Sequence, residues 1–101
     1  MARLGEIAGK IRSKNAGPFT LTIDIFCEEA ERFATICSAL STARVAKLYR
    51  QKEEDVMRFE LPRLNVLKFS MPRPTIQGSL KDRDMHASQW AWILSELDLN
   101  I

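Results

Sequence analysis

The fold expected for this chain is built around residues 12–26, RSKNAGPFTLTIDIF. The second half of the stretch, from Phe19 to Phe26, alternates its side chains with the period of two that is typical of a half-buried strand. Phe19, Leu21, Ile23 and Ile25 are expected to face the core. The first half gathers two cations, a hydroxyl, a carboxamide and a Gly-Pro pair, a composition typical of a loop. We therefore predict a polar loop that is positioned by a central core strand.

The residues before this stretch predict a short N-terminal helix, and those after it predict a helix pair. Apolar residues recur at helical spacing between Leu4 and Ile11, although two glycines weaken this helix. After Glu28 and Glu29, an apolar stripe runs to Leu40. Ser41 and Thr42 are good N-cap residues and predict the start of a second helix.

Alternating and helical patterns complete the chain. Residues 57–61 and 67–71 alternate as strands and are joined by a hairpin-type connection at 62–65. Met57, Phe59 and Leu61 form the apolar side of the first strand, and Phe69 lies on the apolar side of the second, as core residues would. A last helix contains Ala87, Trp90, Ala91 and Leu94 on its inward face, and residues 97–101 alternate again as a final short strand.

The order strand, helix pair, strand, strand, helix, strand is the ferredoxin-like pattern. We predict an α+β fold, a ferredoxin-like split β-α-β sandwich with a four-stranded antiparallel sheet, helices on one face and a short N-terminal helix. A chain of 101 residues is expected to form a single domain over residues 1–101.

The composition limits which binding partners and which cellular compartment are expected. With 15 basic and 13 acidic residues the net charge is +2, which is too balanced for a dedicated nucleic-acid binder. No apolar run approaches the ~20 residues of a membrane helix. The first residues lack a hydrophobic signal segment, so a cytoplasmic location is expected. Cys27 and Cys37 have neither zinc-knuckle nor redox spacing, which favours buried reduced thiols.

Few residues suit catalysis. His86 is the only histidine, which excludes a histidine-based metal site or paired acid–base chemistry within one chain. No Gly-rich phosphate motif or nucleophile elbow occurs. Asp82 and Asp84 could bind a cation, but helix capping explains them equally well. The catalytic residues therefore stay unknown, and neither a metal nor a cofactor is expected.

Two features point to anion recognition. Arg12 and Lys14 flank backbone amides that could form a concave donor site. Arg73 lies between two prolines that could orient its guanidinium. The candidate substrate- or anion-binding residues are Arg12, Ser13, Lys14, Asn15, Gly17 and Arg73. The alternative is an ordinary helix-to-strand connection in which both cations are solvated.

The chain resembles domain-of-unknown-function family 4387. The most specific part of the resemblance is residues 11–19, IRSKNAGPF, leading into residues 21–25, LTIDI. Further similar positions are Met71-Pro72-Arg73-Pro74, and Gly78-Ser79 with Asp82, Asp84 and Gln89.

The layout is also similar to the C-terminal ferredoxin-fold domain of acyclic-terpene-utilisation (AtuA-like) proteins. The similarity lies in Arg12-Ser13 and in the segment Arg58-Phe59-Glu60-Leu61-Pro62. It implies a separately encoded counterpart of that domain, working with an AtuA-like large subunit in the breakdown of branched or unsaturated acids, often as coenzyme A thioesters.

These observations lead to two functional hypotheses. The first is a small subunit of a heteromeric enzyme of organic-acid or acyl-CoA catabolism, which supplies the Arg12–Phe19 loop to a site shared with the AtuA-like subunit. Its substrate would be a small anion such as a carboxylate or CoA thioester, and whether lyase or hydratase chemistry follows is left open. The second is a stand-alone homodimeric module that binds a small anionic metabolite. Neither hypothesis involves nucleic acid or a membrane.

Overall fold

The computed structural model describes residues 3–16, 19–72 and 88–99. In chain order the elements are α1 Leu4–Ile7, β1 Lys10–Asn15, β2 Thr20–Phe26, α2 Ala30–Ala39, α3 Thr42–Leu48, a 3₁₀ turn Glu53–Asp55, β3 Met57–Leu61, β4 Val66–Pro72 and α4 Ser88–Ser95. None of the helices in these ranges is long and apolar enough to cross a membrane.

β2 is a central strand, as predicted. The four strands are antiparallel in the order β1-β2-β4-β3, so β2 lies between β1 and β4. Leu21, Ile23 and Ile25 are fully buried, as their alternation indicates. Phe19 precedes the strand and is 62% exposed, so its predicted place in the core was wrong.

The helices pack on one face of the sheet, which we call the inner face. Alternate residues of β2 and β4, including Ile23 and Phe69, join Ile36, Val45 and Leu94 of the helices in one buried cluster. The opposite face, called the open face, is formed by the intervening residues of each strand. The protein therefore has the predicted α+β ferredoxin-like sandwich, with a short N-terminal helix.

The fourth strand of the sheet differs from the prediction. β1 takes the edge position next to β2, whereas the predicted C-terminal strand is reduced, among residues 97–99, to one bridge between Asp98 and Arg3. β1 and β2 are neighbours in sequence, so their pairing closes only a short loop and is entropically cheap.

The N-terminal helix is correspondingly shorter than predicted. It ends at Ile7, and the chain becomes extended through Gly9, whose N–H donates to Phe26 O at 2.9 Å. Glycine weakens a helix, and the ladder with β2 supplies hydrogen bonds that replace those of a further helical turn. Arg12, Ser13, Lys14 and Asn15 are therefore strand residues and not loop residues.

β3 has the opposite orientation from the one predicted. Met57, Phe59 and Leu61 lie on the open face and are 57%, 40% and 39% exposed. Arg58 and Glu60 are directed to the inner side instead. The predicted core positions in this strand were therefore wrong. The physical reason is that Arg58 makes its hydrogen bonds on the inner side of the sheet.

Arg58 ties β3 to the end of α2. Its guanidinium donates to Leu40 O at 2.5 Å and Cys37 O at 2.8 Å, and its Nε donates to Glu60 Oε2 at 2.9 Å. It also lies over the Phe69 ring, 5.7 Å from the centroid. The last carbonyls of a helix have no partner within the helix, and a cation there also suits the helix dipole.

The remaining helix predictions are largely confirmed. Ser41 caps α3, since its Oγ accepts a hydrogen bond from Arg44 N at 3.2 Å. α2 begins after Glu29, and Leu94 of α4 is fully buried. The predictions for Asp82, Asp84, His86 and Ala87 fall outside the described residues.

Candidate functional site

The open face of β1 carries three cations. Lys10, Arg12 and Lys14 alternate along the strand and so lie on one face, where all three are exposed. Side chains two residues apart in a strand are about 7 Å apart, so the set extends over about 13 Å. We call Lys10, Arg12 and Lys14 the basic row.

One carboxylate lies beside the basic row. Asp24 of β2 is directly opposite Arg12 on one side and Lys68 of β4 on the other. Opposite charges at such cross-strand positions attract one another. Lys10 and Lys14 are opposite Phe26 and Thr22, which carry no charge, so the face stays positive at both ends of the row.

Ser13 lies on the other face of β1 from the basic row. Its Oγ accepts a hydrogen bond from the backbone N–H of Ala91 at 3.0 Å. Ala91 is in the first turn of α4, where N–H groups have no partner within the helix. Ser13 thus joins the edge strand to α4.

The other predicted site residues are only partly placed. Asn15 is the last residue of β1, in register with Leu21. Gly17 and Arg73 lie outside the described residues. The structure therefore brings Arg12 and Lys14 onto one face and adds Lys10, which the sequence analysis missed. The signal that could have identified Lys10 is its spacing of two from Arg12.

A cleft of about 380 Å³ opens where α1, β1 and α4 meet, and Lys10 and Ser95 are among its lining residues. Gly9 also lines it, and a Cβ at this position would collide with the Glu28 side chain, so a larger residue would force that side chain to move. The cleft begins at the Lys10 end of the basic row and could accommodate an uncharged part of a ligand.

The two cysteines are free thiols with little nucleophilic character. Burial, followed by the effect of Cys37, raises the pKa of the Cys27 thiol to about 11. The pKa of Cys37 is raised mainly by burial and then by Glu60, while Arg58 lowers it. Because the thiolate is the reactive form, both side chains are largely inert at neutral pH.

The described part of the chain contains no group of three or more His, Cys, Asp or Glu side chains arranged to hold a metal ion. Tyr49 is deeply buried, and burial raises the pKa of its phenol well above the ordinary value. The open face of β1, by contrast, presents three exposed cations.

A family profile matches residues 4–98, nearly the whole chain. The chain belongs to the DUF4387 family. The description of DUF4387 is "domain of unknown function", so membership confirms the resemblance of the sequence without assigning a reaction. No curated protein and no solved structure matches this DUF4387 chain.

Proposed function

We propose that this DUF4387 protein is the small subunit of a heteromeric enzyme of organic-acid or acyl-CoA catabolism. In this proposal β1 contributes an anion-binding surface to a site that an AtuA-like large subunit completes. The observation that carries the proposal is the basic row, in which Lys10, Arg12 and Lys14 are exposed on one face of an edge strand.

The length of the basic row favours an extended polyanion. Three cations spread over about 13 Å can contact several anionic groups at once, whereas a single carboxylate would engage one of them. Coenzyme A carries a diphosphate and a separate phosphate, so its thioesters fit this pattern. Arg12 would supply a bidentate fork for a phosphate, and the two lysines would act as point charges.

The chemistry of the surrounding residues supports a subunit that holds substrate and does not react with it. The thiols of the described residues are protonated at neutral pH, as their raised pKa values require. Asp24 lies opposite Arg12 and Lys68, so the carboxylate nearest to the basic row faces two cations. A partner would then supply the reacting groups. Asn15, Gly17 and Arg73 stay predicted contributors to the same site.

Calorimetric titration of coenzyme A and dephospho-coenzyme A into the purified chain tests the anion site. We expect Arg12→Ala to weaken binding of coenzyme A by about 10- to 100-fold, the loss of one charge-assisted contact of roughly 1.5–3 kcal/mol. Lys52→Ala is the matched control, because Lys52 is exposed but lies outside the sheet. Equal affinity of the wild type and of Arg12→Ala would contradict the proposed site.

The partner requires a second measurement. Affinity capture from native extract, with mass spectrometry of the bound proteins, should recover an AtuA-like large subunit, and turnover of the reassembled complex should fall in Arg12→Ala. If the chain binds coenzyme A tightly and recovers no such subunit, the stand-alone anion-binding module replaces the subunit proposal.

A further inference from the structure

β3 is an edge strand with an unusual side-chain pattern. Within the described ranges it pairs only with β4, so its second edge presents unpaired backbone N–H and C=O groups. Its open-face residues Met57, Phe59 and Leu61 are all exposed and apolar. We call these three residues the apolar row. Edge strands are usually protected by charge, proline or a bulge, and an exposed apolar edge is typical of a surface that pairs with another chain.

The sequence of β3, Met-Arg-Phe-Glu-Leu, is complementary to itself in the antiparallel direction. If Phe59 lies opposite Phe59 of a second copy, Met57 lies opposite Leu61 and Arg58 lies opposite Glu60. The open face then carries only apolar cross-strand pairs, and the inner side carries only pairs of opposite charge. Both kinds of pair stabilise neighbouring antiparallel strands.

Neighbouring registers lack this complementarity. A shift by one residue would place open-face residues opposite inner-face residues, which breaks the alternation of the sheet. A shift by two residues in one direction would place Arg58 opposite Arg58, and in the other direction Glu60 opposite Glu60. Like charges directly opposite each other are destabilising, so only the register centred on Phe59 satisfies both faces.

The charged residues of β3 are held in suitable positions for this pairing. Arg58 is fixed by Leu40 O and Cys37 O, and its side chain is only 18% exposed. Glu60 contacts Arg58 within the chain but keeps a side chain that is 51% exposed. It can therefore approach Arg58 of a second copy without losing its first partner.

We propose that β3 pairs with β3 of a second copy of this chain, in antiparallel orientation, about a two-fold axis at Phe59. The two four-stranded sheets become one continuous sheet, as in strand-addition complexes. The basic rows lie at its two outer edges, because β1 and β3 are opposite edges of each sheet.

Sedimentation equilibrium of the full chain tests the assembly. We expect a dimer for the wild type and an increase of about 100-fold or more in the dissociation constant for Phe59→Lys, since the two-fold axis places the introduced charges opposite each other. Ile93→Lys is the matched control. Ile93 is 42% exposed, close to the 40% of Phe59, but lies on α4, so this variant should stay dimeric. A wild type that is monomeric at about 100 μM overturns the proposal, as does a Phe59→Lys variant as dimeric as the wild type.

Disulfide cross-linking tests the register independently of affinity. The Phe59→Cys variant should form a linked dimer under mild oxidation, with the wild-type chain as the control for its native thiols. Met57→Cys alone should not, since the two copies of residue 57 would be about 13 Å apart, beyond the reach of a disulfide. A mixture of Met57→Cys and Leu61→Cys should cross-link. Linkage of Met57→Cys to itself, without linkage in Phe59→Cys, overturns the register.

The pairing of β3 stands apart from the proposed anion site. Phe59→Lys should therefore keep the affinity of the wild type for coenzyme A, while Arg12→Ala should keep the dimer. Failure of one proposal is thus measured separately from failure of the other.

Discussion

The two edges of the sheet present different chemistry on the same open face. β1 carries the exposed cations Lys10, Arg12 and Lys14, whereas β3 carries the exposed apolar residues Met57, Phe59 and Leu61. Each edge is also joined to a helix from its inner side, β1 through Ser13 and β3 through Arg58. One sheet can therefore offer two separate surfaces when each edge strand is held by its own polar contact.

The largest effect is expected where β3 is joined to α2. Arg58→Ala removes the contacts to Leu40 O, Cys37 O and Glu60, and so takes the side-chain donor away from two partly buried carbonyls. We expect a loss of about 3 kcal/mol in the free energy of unfolding, measured by urea denaturation. Arg58→Lys should recover only part of it, because an ammonium cannot reach two carbonyls as a planar fork does.

Arg63→Ala is the control for this loss, since Arg63 is an exposed residue of the adjoining hairpin loop. It should change stability by less than about 0.5 kcal/mol. A similar small change in Arg58→Ala would show that the contacts to α2 do not hold β3 in place.

A variant next to the central strand β2 serves as the comparison for the variants of the two edge strands. Cys27 follows β2, is fully buried, and has a thiol pKa raised from 9.0 to about 11. The unfolded chain loses this proton first, so the stability due to the neutral thiol is fully present below pH 9 and is lost as the pH rises from about 9 to about 11. In Cys27→Ala the decrease in unfolding free energy between pH 8 and pH 10 should be smaller by about 1 kcal/mol.

The Cys27→Ala variant should affect neither the affinity for coenzyme A nor dimer formation, because Cys27 is on neither edge strand. If the unfolding free energy of Cys27→Ala falls between pH 8 and pH 10 as much as that of the wild type, the Cys27 thiol does not cause the fall. If Cys27→Ala folds normally but loses coenzyme A binding or dimer formation, the two edge strands do not act independently of Cys27.

An effect no larger than that of Cys27→Ala is expected where β1 is joined to α4. Ser13→Ala removes the acceptor of the Ala91 N–H and should cost about 1 kcal/mol of stability. Thr35→Ala is a suitable control, because Thr35 also makes a hydroxyl hydrogen bond, to Glu31 O at 3.0 Å, but on the exposed side of α2. A thermal melt of both variants would show whether the Ser13 contact matters more than an exposed one.

The sequence predicts the centre of this fold better than its edges. β2 and β4 alternate clearly because each has one face in the core, and that burial leaves a period-two pattern. β1 has only Ile11 as an apolar inner residue, and Ile11 also completes the helical spacing that begins at Leu4, so the local pattern favours a helix. In β3 the alternation is correct but its direction is reversed, because the partner carbonyls of Arg58 are distant in sequence.

The candidate site, too, could be predicted from the sequence only in part. Arg12 and Lys14 could be identified from sequence as clustered cations, whereas their common face with Lys10 required the strand assignment of β1. The role of Ser13 depends on a contact with Ala91, 78 residues away, which no local pattern reveals.

The order β1-β2-β4-β3 also has a consequence for how the chain folds. Each edge strand forms an antiparallel pair with the strand next to it in sequence, and such hairpins form within microseconds. The β2–β4 pairing joins strands separated by α2 and α3, so its closure costs more entropy and is expected to come later. The basic row and the apolar row thus belong to two different hairpins, which are expected to form separately. The pairing of β2 with β4, together with the core beneath it, then joins the two hairpins.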